Sequence, residues 1–455
     1  MPGQYLTMGE AAKALGLTKA RISQLASAEV LDAAMIDGRK QITSVSVHTY
    51  ATQKHASGRS PLASRGIKLT LMSASYEVAR LSYEPDREYP LVVKEVLDPV
   101  RMPLGTVTRG GQIKKREFND WWEHRSIPDT RPMILAKTSE LGASSVSEIP
   151  VRSYGLSLSD CYWLLPDDAS FGWSDLNYFE NEFDGAGAAE GAWLANVGLN
   201  SPDNTSEGEL PKRWIIKDGR RLLLKGSGSD DQRPYNECVA TALYQRLLNV
   251  SDYVPYEMTI VGEVAACVCP DFLNGREEYI PAVHMKQSMG SVRGSSTYDR
   301  LCRYAAQLGA DEEATREGIC KMLVCDSILA NSDRHWRNFG FVRNVDTLEL
   351  RVAPIFDTGN CLWYNKTTAE VSAGDWAFLA RPFGPEPERQ LAVVDRAGWF
   401  DPSKLNGFLD QAMDILAGSS HACDTARRAF IEQGLTRRMA DVTAVMRVLA
   451  MRGGN

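Results

Sequence analysis

Residues 330–359 set out side chains able to do chemistry: Ala330-Asn331-Ser332-Asp333-Arg334-His335-Trp336-Arg337-Asn338-Phe339-Gly340-Phe341, and later Ala353-Pro354-Ile355-Phe356-Asp357-Thr358-Gly359. Residues 339–342 and 348–352 alternate as the arms of a hairpin turning at 344–347. A strand exiting at Phe356 carries Asp357 back beside Asn338. An amide and a carboxylate oxygen so placed suit a hard cation such as Mg²⁺, which can bridge the phosphates of a nucleotide. Asp and Asn in a glycine-containing loop are also ordinary turn formers and caps.

The elements that must position these residues lie upstream. Residues 213–217 and 220–225 read as strands joined across Asp218-Gly219, a strong hairpin signal. Lys225 ends the second strand, where an ammonium can reach phosphates, and Glu237 opens the next helix and can hold that flexible side chain. Residues 319–329 form an amphipathic helix that delivers the 331–338 loop.

The 331–340 and 353–359 segments resemble the catalytic segment of HipA-like protein kinases, and the resemblance runs from about Ile67 to the C-terminal helices. The order Lys225, Glu237, Asp333, Asn338, Asp357 is that of a kinase. The resemblance implies an α+β, two-lobed kinase fold, with Asp333 as catalytic base and Asn338 and Asp357 as Mg²⁺ ligands. It implies ATP as cosubstrate, with Lys225 and Glu237 at its phosphates. A loop holding Ser201, Thr205 and Ser206 would cover the phosphates and carry the autophosphorylated serine of some members. The chain has no GxGxxG there, so the cradle would be backbone N–H groups and hydroxyls, and a plain surface loop is an equal reading. Cys269 and Asp271 fall in the implied hinge for the adenine ring, where a strand ending in a proline turn is an equally fair description. His335 reads as a hydrogen-bonding brace or a second acid/base. Residues 375–376 and 381–383 resemble the equivalent of an activation segment. The implied substrate is a protein Ser/Thr hydroxyl, with targets in translation and a small DNA-binding antitoxin as partner.

A chain of 455 residues exceeds one ordinary core, and 44% hydrophobic with 24% charged residues is ordinary for a globular protein. With no apolar run of membrane-span length and no secretory h-region, a cytoplasmic location without membrane association is expected. Nine cysteines without CxxC pairs point to free thiols rather than disulfides or zinc, and Cys267 and Cys269 are expected to face opposite ways on a strand. The net charge of −7 is uneven, since residues 1–68 hold nine Lys/Arg against four Asp/Glu. That basic head resembles a winged helix-turn-helix of the MerR or excisionase type. Thr7 caps its first helix and Thr18 its second, which offers Lys19, Arg21, Ser23 and Gln24 to DNA. Arg39 and Lys40 lie in the wing. The expected domains are 1–55 (helix-turn-helix), 56–66 (linker), 67–272 (N-terminal region and N-lobe) and 273–455 (helical C-lobe). Two other functions fit the same residues: a DNA-binding regulator that only senses nucleotide, and a kinase of small molecules or lipids.

Overall fold

The computed structural model describes residues 5–15, 19, 22–23, 26, 31–36, 39–47, 66–84, 87, 89–108, 110–125, 148–183, 201–205, 210–227, 231–291 and 293–453. The chain divides into two compact units, residues 1–186 with 196–209, and residues 187–195 with 210–455.

In the first unit, Thr7 caps α1 (Met8–Ala14). Its Oγ1 accepts from the Glu10 N–H at 3.2 Å while the Glu10 carboxylate takes the Thr7 N–H at 2.8 Å, a reciprocal capping box. Strands β1 (Tyr5–Thr7), β2 (Ala33–Ile36) and β3 (Arg39–Thr43) form an antiparallel sheet in the order β1-β3-β2. Ala11, Ala12, Leu15, Ile22, Leu31, Ile42 and Val47 bury one small core, and Lys19, Ser23 and Lys40 are exposed. Arg21, Gln24, the side chain of Arg39, Thr18 and the 56–65 linker lie outside the described residues.

A second sheet of this unit has the order β6-β5-β4-β7, from β4 (Ile67–Ser73), β5 (Tyr76–Tyr83), β6 (Leu91–Val96) and β7 (Tyr162–Pro166). Helix α2 (Lys115–Glu123) buries Phe118, Trp121 and Trp122 in the core of that sheet. Arg125 ion-pairs with Asp160 and stands 5.0 Å from the Trp121 ring. Trp163 is buried too, and its indole N–H donates to the Ala74 carbonyl at 2.8 Å. These tryptophans are core anchors, and the polar edge of Trp163 is satisfied.

The second unit begins with the antiparallel sheet β10-β11-β9-β8, from β8 (Lys212–Lys217), β9 (Arg220–Gly226), β10 (Glu257–Val261) and β11 (Val264–Pro270). Asp218 and Gly219 turn the first hairpin with φ of 51° and 74°, the left-handed pair a two-residue turn demands. Helix α3 (Gln232–Leu247) follows. Cys238, Cys267 and Cys269 share one buried cluster with Val254 and Tyr256. Cys267 and Cys269 therefore do not face opposite ways: residues two apart on a strand project from the same face. All nine cysteines are free and eight are buried.

The remainder is mostly helical, with α4 (Ala282–Ser288), α5 (Thr297–Gln307), α6 (Glu312–Leu329), α7 (Phe408–Leu416) and α8 (Thr425–Gly453). Every residue of α6 from Ile319 onward is buried, and Ala330, left-handed at φ 52°, stops it. The expected hairpin is three-stranded: β13 (Gly340–Asn344) pairs with β14 (Leu350–Val352) and also with β12 (Glu277–Pro281). Among the described residues no helix is long and apolar enough to cross a membrane.

Helix α8 is held by an indole cluster. The Trp376 ring stacks on Phe430 at 5.2 Å, and the Trp376 and Trp363 N–H groups donate to the carbonyls of Phe430 and Trp376. Gly434 sits so close that a Cβ there would lie 2.5 Å from atoms of both indoles. Gly434→Val should therefore destabilise by about 1–3 kcal/mol through overpacking. Gly398→Ala, in open space, should stay within about 0.5 kcal/mol of wild type. Thermal midpoints followed by near-ultraviolet circular dichroism check this, and equal midpoints for the two variants would refute the packing argument.

Candidate active site

The second unit brings Lys225, Glu237 and Asp357 into direct contact. Lys225, on β9, is 4% exposed and ion-pairs with Glu237 of α3 and, at 2.5 Å, with Asp357 Oδ1. Glu237 also accepts the Thr358 N–H at 2.9 Å, so one carboxylate holds the lysine and the backbone just past Asp357. The Tyr256 ring lies 5.2 Å from the ammonium, and its hydroxyl accepts the Asp357 N–H at 3.3 Å. Burial works against the charge on Lys225, but Asp357 and Glu237 outweigh it and hold its pKa well above the usual value. Burial likewise pushes the Asp357 carboxyl up, and Lys225, Lys212 and Arg334 together hold it far below the ordinary range. Asp357 has a φ of 56°, a conformation a non-glycine residue holds only when its surroundings impose it. Asn236 supplies part of that constraint, donating to the carbonyls of Gly359 and Cys361 at 2.9 and 2.8 Å.

Arg334 assembles the loop. Its fully buried guanidinium donates to Asp326 of α6 at 2.8 and 3.0 Å, to the Asn338 carbonyl at 2.7 Å, to the Phe356 carbonyl at 2.5 Å and to Thr358 Oγ1 at 2.8 Å. The segments carrying Asn338 and Asp357 are thereby tied to one cation. Losing one partner of such a buried pair costs about 3–5 kcal/mol.

Asp333 is held from several sides. Its N–H donates to Asn331 Oδ1 at 3.0 Å, its carbonyl accepts from Asn338 Nδ2 at 3.0 Å, and its Oδ2 accepts from Asn360 Nδ2 at 2.8 Å. The Asn360 carbonyl is gripped in turn by the N–H and hydroxyl of Ser332, both at 3.1 Å. Among the described residues nothing donates a hydrogen bond to Asp333 Oδ1, and the Arg381 guanidinium stands 3.7 Å from it. His335 Nδ1 accepts the Arg337 N–H at 3.2 Å, which puts the proton of a neutral ring on Nε2.

The remaining expected site residues are Cys269, Asp271, Ser201, Thr205 and Ser206. Cys269 is inside β11, and burial pushes its thiol up to about 12, so its side chain is inert. Asp271 follows β11; its N–H is committed to the Arg221 carbonyl and its Oδ1 accepts the Leu273 N–H, a turn-forming arrangement. Ser201 and Thr205 belong to the other compact unit, where the buried Ser201 hydroxyl accepts from the Asp203 N–H at 3.3 Å. Ser206 and the side chain of Thr205 lie outside the described residues.

Among the described residues no group of three or more His, Cys, Asp or Glu side chains could hold a metal by itself. Asn338 and Asp357 are a sparse, all-oxygen pair, which fits Mg²⁺, an ion that takes one or two protein ligands and completes its shell with phosphates and water. Arg334, Asn360 and Arg381 escaped the sequence reading as parts of the site, although Arg334 and Asn360 directly follow Asp333 and Gly359.

The family model described as HipA-like C-terminal domain matches residues 186–414. The chain belongs to that family. Over 99 residues it is 31% identical to the serine/threonine-protein kinase CtkA of Helicobacter pylori, a match that spans 21% of this chain and 30% of that protein. A structure of the Shewanella oneidensis toxin–antitoxin system HipA and HipB with operator DNA contains a chain that shares the fold. The TM-score is 0.50 at 13% identity, over 83% of this chain and 99% of that one. The HipA-like domain thus covers the Lys225–Glu237–Asp357 trio and the Asp333 loop.

Asp271 gives this region a testable pH dependence. Its Oδ2 is buried without a hydrogen-bond partner, and burial raises the carboxyl to about 8. An unfolded chain releases that proton near about pH 4. Between the two values the folded state binds more protons, so stability is full below about pH 4 and declines as pH rises toward 8. Asp271→Asn should remove this decline, and its thermal midpoint should gain on wild type between pH 5 and 8.5. A constant difference across that range would show that Asp271 is ionised in the fold.

Proposed function

We propose that this protein is an ATP- and Mg²⁺-dependent serine/threonine kinase of the HipA toxin type. The observation that carries the proposal is the buried Lys225–Glu237–Asp357 contact beside an Asp333 with one uncommitted oxygen. Mg²⁺ held by Asn338 and Asp357 would neutralise charge on the ATP phosphates. Lys225, kept charged and oriented by Glu237, binds the phosphates. Asp333 Oδ1 takes the proton of the acceptor hydroxyl as its oxygen bonds to the γ-phosphorus and the bond to the ADP oxygen breaks. Arg334 and Asn360 keep the Asp333 loop in register with Asp357 during that exchange.

Transfer of labelled γ-phosphate to precipitable protein tests this reading. Asp333→Ala should reduce transfer by about 10²–10⁴-fold, and Asp357→Ala should abolish it while the fold is retained. Wild-type transfer unaffected by either substitution would overturn the assignment. Nucleotide binding without transfer would favour a nucleotide-sensing regulator, and label in a small-molecule or lipid fraction the third class. In the kinase reading Ser201, Thr205 and Ser206 are the first autophosphorylation candidates, and a translation component is the first target class.

The basic N-terminal module, with Lys19, Ser23 and Lys40 exposed, supports DNA binding in cis as a means of autoregulation, alongside an antitoxin-like partner or self-association. The full-length chain should bind duplex DNA from upstream of its own coding sequence. Lys19→Ala/Lys40→Ala should lower the slope of log affinity against log salt by about two. Equal binding and slope for wild type and variant would remove these residues from any DNA interface.

A further inference from the structure

Arg381 differs from the other site cations in having a fixed base and a free head. The Gln390 amide donates to the Arg381 carbonyl, and Gln390 Oε1 accepts the N–H groups of Phe383 and Gly384 at 2.9 and 3.0 Å. Phe383 stands edge-on to Trp336 at 5.3 Å and to Tyr298 at 5.6 Å, so the segment is anchored on the Asp333 loop itself. The Arg381 guanidinium, however, donates no hydrogen bond to a described residue. It is 42% exposed, and its ion-pair partner at 3.7 Å is the uncommitted oxygen of Asp333, itself 31% exposed. Arg334, by contrast, has spent its donors on protein. Lys286 extends the same surface, its ammonium 4.5 Å from the Trp336 ring.

A guanidinium presents planar donors matched to a carboxylate. An acceptor hydroxyl placed at Asp333 Oδ1 would lie within reach of this group. We propose that Arg381 is a specificity-determining residue that selects acceptor segments carrying an acidic side chain next to the phosphorylated Ser or Thr. It covers Asp333 in the free protein and exchanges that long contact for the acidic group of the acceptor. This inference rests on the kinase reading.

The test uses two synthetic single-serine peptides, one flanked by glutamates and one by lysines, with the full-length protein and ATP·Mg²⁺. Wild type should favour the glutamate peptide in kcat/KM by about tenfold, the size of one charge-assisted hydrogen bond. Arg381→Lys should keep the preference and Arg381→Glu should invert it, with ATP binding and thermal midpoint confirming that each variant is folded. Equal use of both peptides by wild type, or an equal loss on both in Arg381→Glu, would overturn the inference and assign Arg381 to the phosphoryl group or to loop packing. If ATP binds but neither peptide is phosphorylated, label transfer to precipitable protein judges the kinase reading separately. Fluorescence anisotropy of the labelled peptides then decides: binding that favours glutamate and inverts in Arg381→Glu retains the acidic-segment preference, and equal binding removes it.

Discussion

The buried guanidinium of Arg334 is the interaction on which the second unit depends. It donates to the side chain of Asp326 in α6, to the backbone at Asn338 and Phe356 and to the hydroxyl of Thr358. Those groups come from a helix, a loop and the segment after a hairpin. Without this common cation, the Asp326 and Thr358 side chains would keep only their contacts with Asn331 and Tyr244 among the described residues, and the Asn338 and Phe356 carbonyls would lose a charged donor. Because every donor is used, the arrangement tolerates little displacement of one segment against another.

The Lys225 trio adds the opposite kind of constraint. Two carboxylates crowd one ammonium in a buried setting, and Lys225 and Asp357 each favour the charged form of the other. Such a cluster is a weak source of stability, since desolvation offsets most of the attraction. Its physical value lies in holding charges of both signs where a phosphate and a cation would each find a partner. Arg381 adds a partly exposed cation 3.7 Å from the Asp333 oxygen that accepts no hydrogen bond from a described residue.

Much of this was legible in the chain. The Asp218-Gly219 hairpin, the alternating strands around it and the Thr7 cap follow from local backbone chemistry, which a short window contains. Lys225, Glu237, Asp333, Asn338 and Asp357 could be picked out because their types and order are unusual together. Strands β5 and β12 went unread, and β12 in particular is defined by pairing with β13, some sixty residues on. The opposite-face reading of Cys267 and Cys269 failed on the strand period itself, since both join one cluster with Cys238 and Tyr256.

The sequence by itself determined which residue types were present for phosphate and cation chemistry, and the local turns and caps that present them. Only the tertiary structure decided which oxygen of Asp333 is spent on Asn360, that Arg334 is buried and fully bonded, and that Arg381 is anchored yet free. The reason is that hydrogen-bond satisfaction is a property of all the groups that converge on a point, and these converge from stretches far apart along the chain.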